Sequence, residues 1–275
     1  MTGNELQKEF WNGPAGNTWV ELQERLDRML RPLTLPALEA AAVVQGERVI
    51  DVGCGCGSTT IALVEQGASA WGIDLSAPML ERAKERAGSR KNIAFSQLDA
   101  AQASYSSDHH LLFSRFGVMF FADPYATFKR LRSSLVEAGR LTFLCWQEAS
   151  RNPWMSTAGA AVRRYFPVDK ADDDKNHEPG PFAFADPDYV RDILVTSGYT
   201  DIEIAPVRAT LHVASDLDDA IWFQSRVGPL ARVLQELAGE ALDNALADAR
   251  DALADHLTKD GINLDAATWL VKARL

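Results

Sequence analysis

The run Arg48-Val49-Ile50-Asp51-Val52 leads straight into Gly53-Cys54-Gly55-Cys56-Gly57 and Ser58-Thr59-Thr60, and no other stretch limits the fold as tightly. Val49, Ile50 and Val52 are apolar and β-branched, the pattern of a strand covered on both faces of a parallel sheet. Glycine at every second position then lets the backbone turn tightly and approach a ligand with no Cβ in the way. Ser58 is the predicted N-cap of the next helix, with Thr60 to Glu65 as its opening turns. A parallel strand, a glycine turn and a helix N-terminus make a nucleotide-shaped site and commit the surrounding chain to an α/β sheet.

Two details narrow the ligand. The spacing is G-x-G-x-G rather than the G-x-G-x-x-G of dinucleotide sites, and Asp51 stands just ahead of the glycines. A carboxylate there would repel a pyrophosphate and suits a ligand carrying an ammonium and a sulfonium centre. The run resembles motif I of the class I S-adenosylmethionine (SAM)-dependent methyltransferases, which implies that Asp51, Gly53, Gly55 and Gly57 meet the cofactor. Taken alone, a glycine turn with no ligand is the other reading of this motif.

The resemblance continues down the chain. Ala68 to Ile73 reads as a second strand with Asp74 and Leu75 at its tip, where an acidic side chain accepts from both ribose hydroxyls. Asn92 to Ser96 is strand three and leads to Asp99-Ala100, which the resemblance assigns to the adenine; the alternative is an aspartate capping its own turn. His110 to Arg115 is strand four. The segment from Ser114 to Phe121 is similar to the post-motif of small-molecule methyltransferases related to the quinone-biosynthesis C-methyltransferases. It implies Ser114 and Arg115 at the cofactor and Phe116 at the acceptor. Asp108-His109-His110 departs from that pattern and reads as a solvated histidine pair rather than metal ligands. Asp123-Pro124 opens a helix with Phe128, Leu131 and Leu135 on its buried face, Gly139 ends it, and Arg140 to Trp146 is strand five, with Trp146 an acceptor candidate.

The expected architecture is therefore α/β, a doubly wound seven-stranded Rossmann-like sheet in the order 3-2-1-4-5-7-6, with N-terminal helices and helical lid insertions. Residues 1–45 form an N-terminal helical cover and 46–150 the SAM-binding core. Residues 151–275 carry lid insertions (151–186 and 210–262) and strands six and seven. In the cover, Asn4 to Phe10 is a short helix and Trp11 to Gly16 a turn. A helix capped by Asn17 or Thr18 presents Trp19, Leu22, Leu26, Met29 and Leu30, and Pro36 to Gln45 is a further helix. Either these helices only pack, or they fold over the cofactor with Trp11 and Trp19 closing the site. In the C-terminal part, Asn152 to Tyr165 is helical, residues 168–181 are acidic and mobile, and Asp186-Pro187 starts a capped helix. Tyr199 to Val207 and Ala267 to Arg274 are strands, with three amphipathic helices between them. Tyr165 and Arg226 are acceptor candidates. His177 is preferred over His212 and His256 as a catalytic base, because histidine titrates near neutrality.

Charge and cysteine content set the boundaries of function. With 38 acidic against 28 basic residues the chain carries −10, which disfavours a nucleic-acid substrate. No leader or membrane span is read, and Cys54, Cys56 and Cys145 are few and odd in number, which fits a reduced cytoplasm. The reading is a SAM-dependent methyltransferase acting on an O, N, S or C nucleophile of a small molecule, as a monomer or homodimer and with no metal. Its alternatives are an NAD(P)-dependent oxidoreductase and a non-catalytic binding protein of the same fold.

Overall fold

The computed structural model describes residues 3–165 and 177–275. Most of the expected mobile stretch 168–181 lies outside them. Three helices come first: α1 (Gly3–Asn12), α2 (Pro14–Glu21) and α3 (Gln23–Ala40). Strands and helices then alternate through β1 (Arg48–Val52), α4 (Ser58–Glu65), β2 (Ser69–Asp74), α5 (Ala77–Ala87), β3 (Ile93–Gln97), β4 (His109–Arg115), α6 (Pro124–Arg132) and β5 (Leu135–Trp146). The remainder holds α7 (Pro153–Ala161), α8 (Pro187–Thr196), β6 (Thr200–Ala214), α9 (Leu217–Gln224), α10 (Pro229–Leu234), α11 (Glu240–Ala254), β7 (Leu257–Thr258) and β8 (Gly261–Arg274).

The sheet runs β3-β2-β1-β4-β5-β8-β6, which is the expected order; the last strand counts as the eighth because the two-residue β7 precedes it. The β1–β2, β1–β4, β2–β3 and β4–β5 pairs are parallel, and β8 runs antiparallel to β5 from Arg140↔Arg274 to Trp146↔Thr268. β1 lies at the centre, and Val49, Ile50 and Asp51 are wholly buried. Phe113 of β4 packs with Ala37 and Leu38 of α3, Leu63 of α4 and Leu144 of β5. Cutting such a side chain back to Ala costs about 3–5 kcal/mol.

Several local expectations change. Trp11 and Asn12 end α1 and Gly16 lies in α2, whose N-cap is Gly13, so neither Asn17 nor Thr18 caps a helix; α6 ends at Arg132, and Leu135 and Gly139 belong to β5. α3 runs unbroken through Pro32 and Pro36, so Pro36 starts no helix. Burial of Leu30, Leu33, Thr34, Ala37 and Leu38 along one face outweighs the lost N–H bonds. The cap of α4 is Gly57 at φ +77°, and Ser58 is already helical, because only the glycine takes the left-handed turn freely. His109 and His110 lie within β4, and His109 is buried with its ring stacked on Trp71 rather than solvated.

The chain divides into two compact units: residues 1–146, 176–207 and 268–275, and residues 147–175 with 208–267. The first contains the parallel sheet and α1 to α6. In the second, buried Asn152 donates to the carbonyls of Gln147, Glu148 and Ala267 and accepts from the Ala267 amide at 2.9 Å. Ala245, Ala249 and Leu253 form the buried stripe of α11 there. β6 and β8 are longer than expected. Among the described residues, no helix is long and apolar enough to cross a membrane.

Candidate functional site

The C-terminal ends of β1, β2 and β3 each deliver one carboxylate. Asp51, at the β1 end, accepts on one oxygen from Thr59 Oγ1 (2.7 Å) and Thr60 Oγ1 (2.6 Å), both in the first turn of α4. Its other oxygen is buried and has no hydrogen-bond partner. Burial pushes its pKa up to about 6, against the lowering effect of the two hydroxyls and the Arg115 charge.

The turn that follows is built from close approaches. Gly53, Gly55 and Gly57 all have positive φ. A Cβ on Gly53 would sit 2.7 Å from the Gly117 Cα, and one on Gly57 would meet the Phe95 ring. Gly55 is different, because a Cβ there would touch only the flexible Met79 methyl. The thiols of this turn are buried, and burial holds both Cys54 and Cys56 above their ordinary pKa.

At the β2 end, Asp74 accepts from the Gly55 amide (2.7 Å) and the Ser76 amide (2.9 Å), so one carboxylate holds the glycine turn and the next loop together. Burial raises its pKa, opposed by those N–H bonds. Asp99 accepts from the Ala101 amide (2.9 Å), Gln102 Nε2 (2.9 Å) and Asn4 Nδ2 (2.7 Å). It caps its own turn and also receives α1. Ala100, the next residue, is buried.

α1 reaches this rim again at Asn12, which donates to the Leu75 carbonyl (2.9 Å) and accepts from the Ala77 amide (2.9 Å). Ser76 Oγ donates to the Trp11 carbonyl at 2.6 Å. Trp11 meets Trp19 and Phe120 edge-on at 6.0 and 5.3 Å, so the two candidate tryptophans do come together. Gly16 permits this packing, since a Cβ there would lie 2.1 Å from the Trp11 carbonyl oxygen.

The end of β4 carries the remaining core candidates. Ser114 Oγ donates to the Val52 carbonyl (2.7 Å) and accepts from the Gly117 amide, tying the β1 and β4 ends. Arg115 donates to Thr34 Oγ1 at 3.1 Å and lies 3.5 Å from Asp27 Oδ1. Phe116, at φ +62°, stacks flat on Trp146 at 4.0 Å, which brings two acceptor candidates together. A non-glycine residue held left-handed is strained, and such strain collects at functional sites.

The other candidates have partners of their own. The His177 ring lies on Tyr189 at 3.5 Å, with Nδ1 near the Ala183 carbonyl. In the second unit Tyr165 donates to Asp248 (2.7 Å), Arg226 lies over the Trp222 ring, and His212 is exposed beside Asn263. Two open clefts, about 410 Å³ along Arg48, Trp71 and His109 and about 530 Å³ along Arg151, Arg208 and Asp265, contain none of the candidates. Among the described residues, no three His, Cys, Asp or Glu side chains cluster as metal ligands.

Sequence reasoning missed Asn4, Asn12, Gln23, Asp27 and Arg86. The signal for Gln23, Asp27 and Thr34 is a polar row at helical spacing beside the apolar stripe of α3, where Gln23 and Thr34 are buried.

Known proteins share the central stretch and the fold. The family model described as a methyltransferase domain matches residues 49–139. A ubiquinone biosynthesis O-methyltransferase of Coxiella burnetii is 32% identical over 84 residues, 30% of this chain and 33% of that enzyme, so the similarity spans about a third of that curated relative. YcgJ of Bacillus subtilis superposes with a TM-score of 0.58 at 15% identity, covering 89% of this chain and 97% of that one. A phosphoethanolamine N-methyltransferase of Haemonchus contortus, solved with S-adenosyl-L-methionine, gives 0.52 at 16% identity over 87% of this chain and 51% of that one. Residues 49–139, which hold β1 to β4 and the start of β5, are thus similar to a methyltransferase domain, and the sheet as a whole has the fold of solved methyltransferases.

Proposed function

We propose that the protein is a SAM-dependent methyltransferase acting on a small-molecule acceptor. The observation that carries this reading is the row of carboxylates at the ends of β1, β2 and β3, whose first member keeps a buried oxygen with no donor. A ligand with an ammonium at one end and an adenosine at the other answers that row. Asp51 would take the ammonium. Asp74 retains lone pairs for the ribose hydroxyls, and Asp99 with the Ala100 amide would face the adenine. Gly55 leaves room for the ligand where Gly53 and Gly57 are closed off by the protein's own atoms.

When bound, SAM supplies a methyl group on a sulfonium, activated toward an O, N, S or C nucleophile. The chain's contribution is alignment and exclusion of water. Phe116 and Trp146 would present a flat aromatic wall to the acceptor, and Trp11 with Trp19 would shield the cofactor. His177, whose ring packs on Tyr189, remains the candidate base for the acceptor. The net charge of −10 argues for a small acceptor rather than a nucleic acid.

Calorimetric titration with SAM, S-adenosylhomocysteine, NAD⁺ and NADP⁺ tests the reading. Binding of the two sulfur nucleosides and neither dinucleotide is expected; the reverse would make the protein an oxidoreductase. Formation of S-adenosylhomocysteine with an acceptor then separates an enzyme from a binding protein.

A further inference from the structure

The α3 side of the site holds a row of charges that the adenosine end of a cofactor cannot answer. Arg115 is only 13% exposed, yet among the described residues its single hydrogen bond goes to Thr34 Oγ1. A guanidinium has five N–H donors, and leaving most of them idle in a nearly buried place is unfavourable. Beside it, Asp27 is used unequally. One oxygen accepts from Gln23 Nε2 (2.5 Å) and Arg86 Nη2 (2.7 Å). The other faces Arg115 at 3.5 Å, buried and without a hydrogen bond. Arg86 continues to the Cys56 carbonyl of the glycine turn at 2.8 Å. Charge therefore alternates along Arg86, Asp27 and Arg115, and the row ends on a cation with free donors at the end of β4.

Resting on the SAM reading above, we infer that Arg115 receives the carboxylate of the cofactor's amino-acid end and that Asp27 is its positioning residue. A planar carboxylate is the partner that a guanidinium fork binds in two parallel hydrogen bonds. Asp51, with its free oxygen and within the field of Arg115, would take the ammonium of the same group. Asp27 does not touch the cofactor. It fixes the guanidinium plane on one side and, through Arg86, couples that plane to the glycine turn. The residue lies on α3, outside the matched residues 49–139, so the amino-acid end is held partly by an element that the domain pattern does not contain.

The test compares ligands that differ only at that end. S-adenosylhomocysteine and 5′-methylthioadenosine share the adenosine and the thioether, and the second lacks both carboxylate and ammonium. By calorimetry, Arg115→Lys and Asp27→Asn should each weaken S-adenosylhomocysteine about tenfold or more while leaving 5′-methylthioadenosine within about twofold, and Asp27→Glu should restore part of the loss. Equal weakening of both ligands would mean that the row only holds the fold, and unchanged S-adenosylhomocysteine binding would also overturn the inference. A second measurement needs no variant: the wild-type protein should bind decarboxylated SAM about tenfold more weakly than SAM, and equal affinity would overturn the role of Arg115. If the wild-type protein binds none of these nucleosides, the cofactor reading itself fails, which is a different result from any of the above.

Discussion

The two helices that border the cofactor rim hold it by different chemistry. α1 meets the ends of β2 and β3 with amides and a backbone carbonyl: Asn4 on Asp99, Asn12 on Leu75 and Ala77, and the Trp11 carbonyl under Ser76. α3 meets the glycine turn and the end of β4 with ionised groups, Asp27 between Arg86 and Arg115. On the proposed reading, the first side meets the nucleoside and the second the amino-acid end of the cofactor. The contrast teaches that one rim can be tied down by amides on one side and by ion pairs on the other.

The largest expected effect breaks both sides at once. Gly55→Val should abolish measurable binding of S-adenosylhomocysteine while circular dichroism shows a folded protein. Its φ of +54° strains a branched residue, but the nearest obstacle is only the Met79 methyl. Retained affinity in a folded variant would put the cofactor elsewhere.

Asp51 sharpens the charged side. Its folded pKa, about 6, lies above the unfolded value of 3.8, so the unfolded chain releases that proton first as pH rises. In the ligand-free protein this group's stabilisation is complete below pH 4 and is lost as pH climbs through 6, by about 3 kcal/mol. Between pH 4.5 and 7.5, denaturant melts of the wild type should lose about 2 kcal/mol that Asp51→Asn does not lose. Over the same range S-adenosylhomocysteine should bind more tightly at higher pH, because the ammonium needs the ionised carboxylate, and the variant should lose this dependence.

Asp74→Ala comes next, weakening S-adenosylhomocysteine and 5′-methylthioadenosine alike by about 1.5–3 kcal/mol, since the ribose is common to both. A titration in which only one ligand weakens would redraw the boundary between the two sides. The smallest effect belongs to Asn4→Ala, about 1 kcal/mol or less in thermal stability, because one half-buried amide leaves Asp99 with its other two donors. A loss several times larger would make α1 a main support of the Asp99 turn.

Much of the rim was readable in advance because each position follows from local chemistry. Asp51, Asp74 and Asp99 fall at strand ends whose apolar runs announce them, and Asp123 and Asp186 cap their helices as expected. Pro36 and Ser58 misled because helix ends are settled by burial and by left-handed backbone that neighbouring residues impose. β6 and β8 were read short: they hold 15 and 14 residues, and the stretch of β6 past Val207 continues the alternation through Ala209, Leu211 and Val213, with Leu211 and Val213 buried.

By itself, then, the sequence determined the alternation of parallel strands and helices and the three carboxylates, since strand periodicity and glycine spacing act over a few residues, while the order of the strands was what the family resemblance implied. Only the tertiary structure decided that Asn4 lies on Asp99 and that Asp27 lies between Arg86 and Arg115. Those partners are 59 to 95 positions apart in the chain or on a helix outside the domain pattern. A polar residue on a helix has no local signature of its partner; the partner is fixed when apolar burial docks the helix against the sheet.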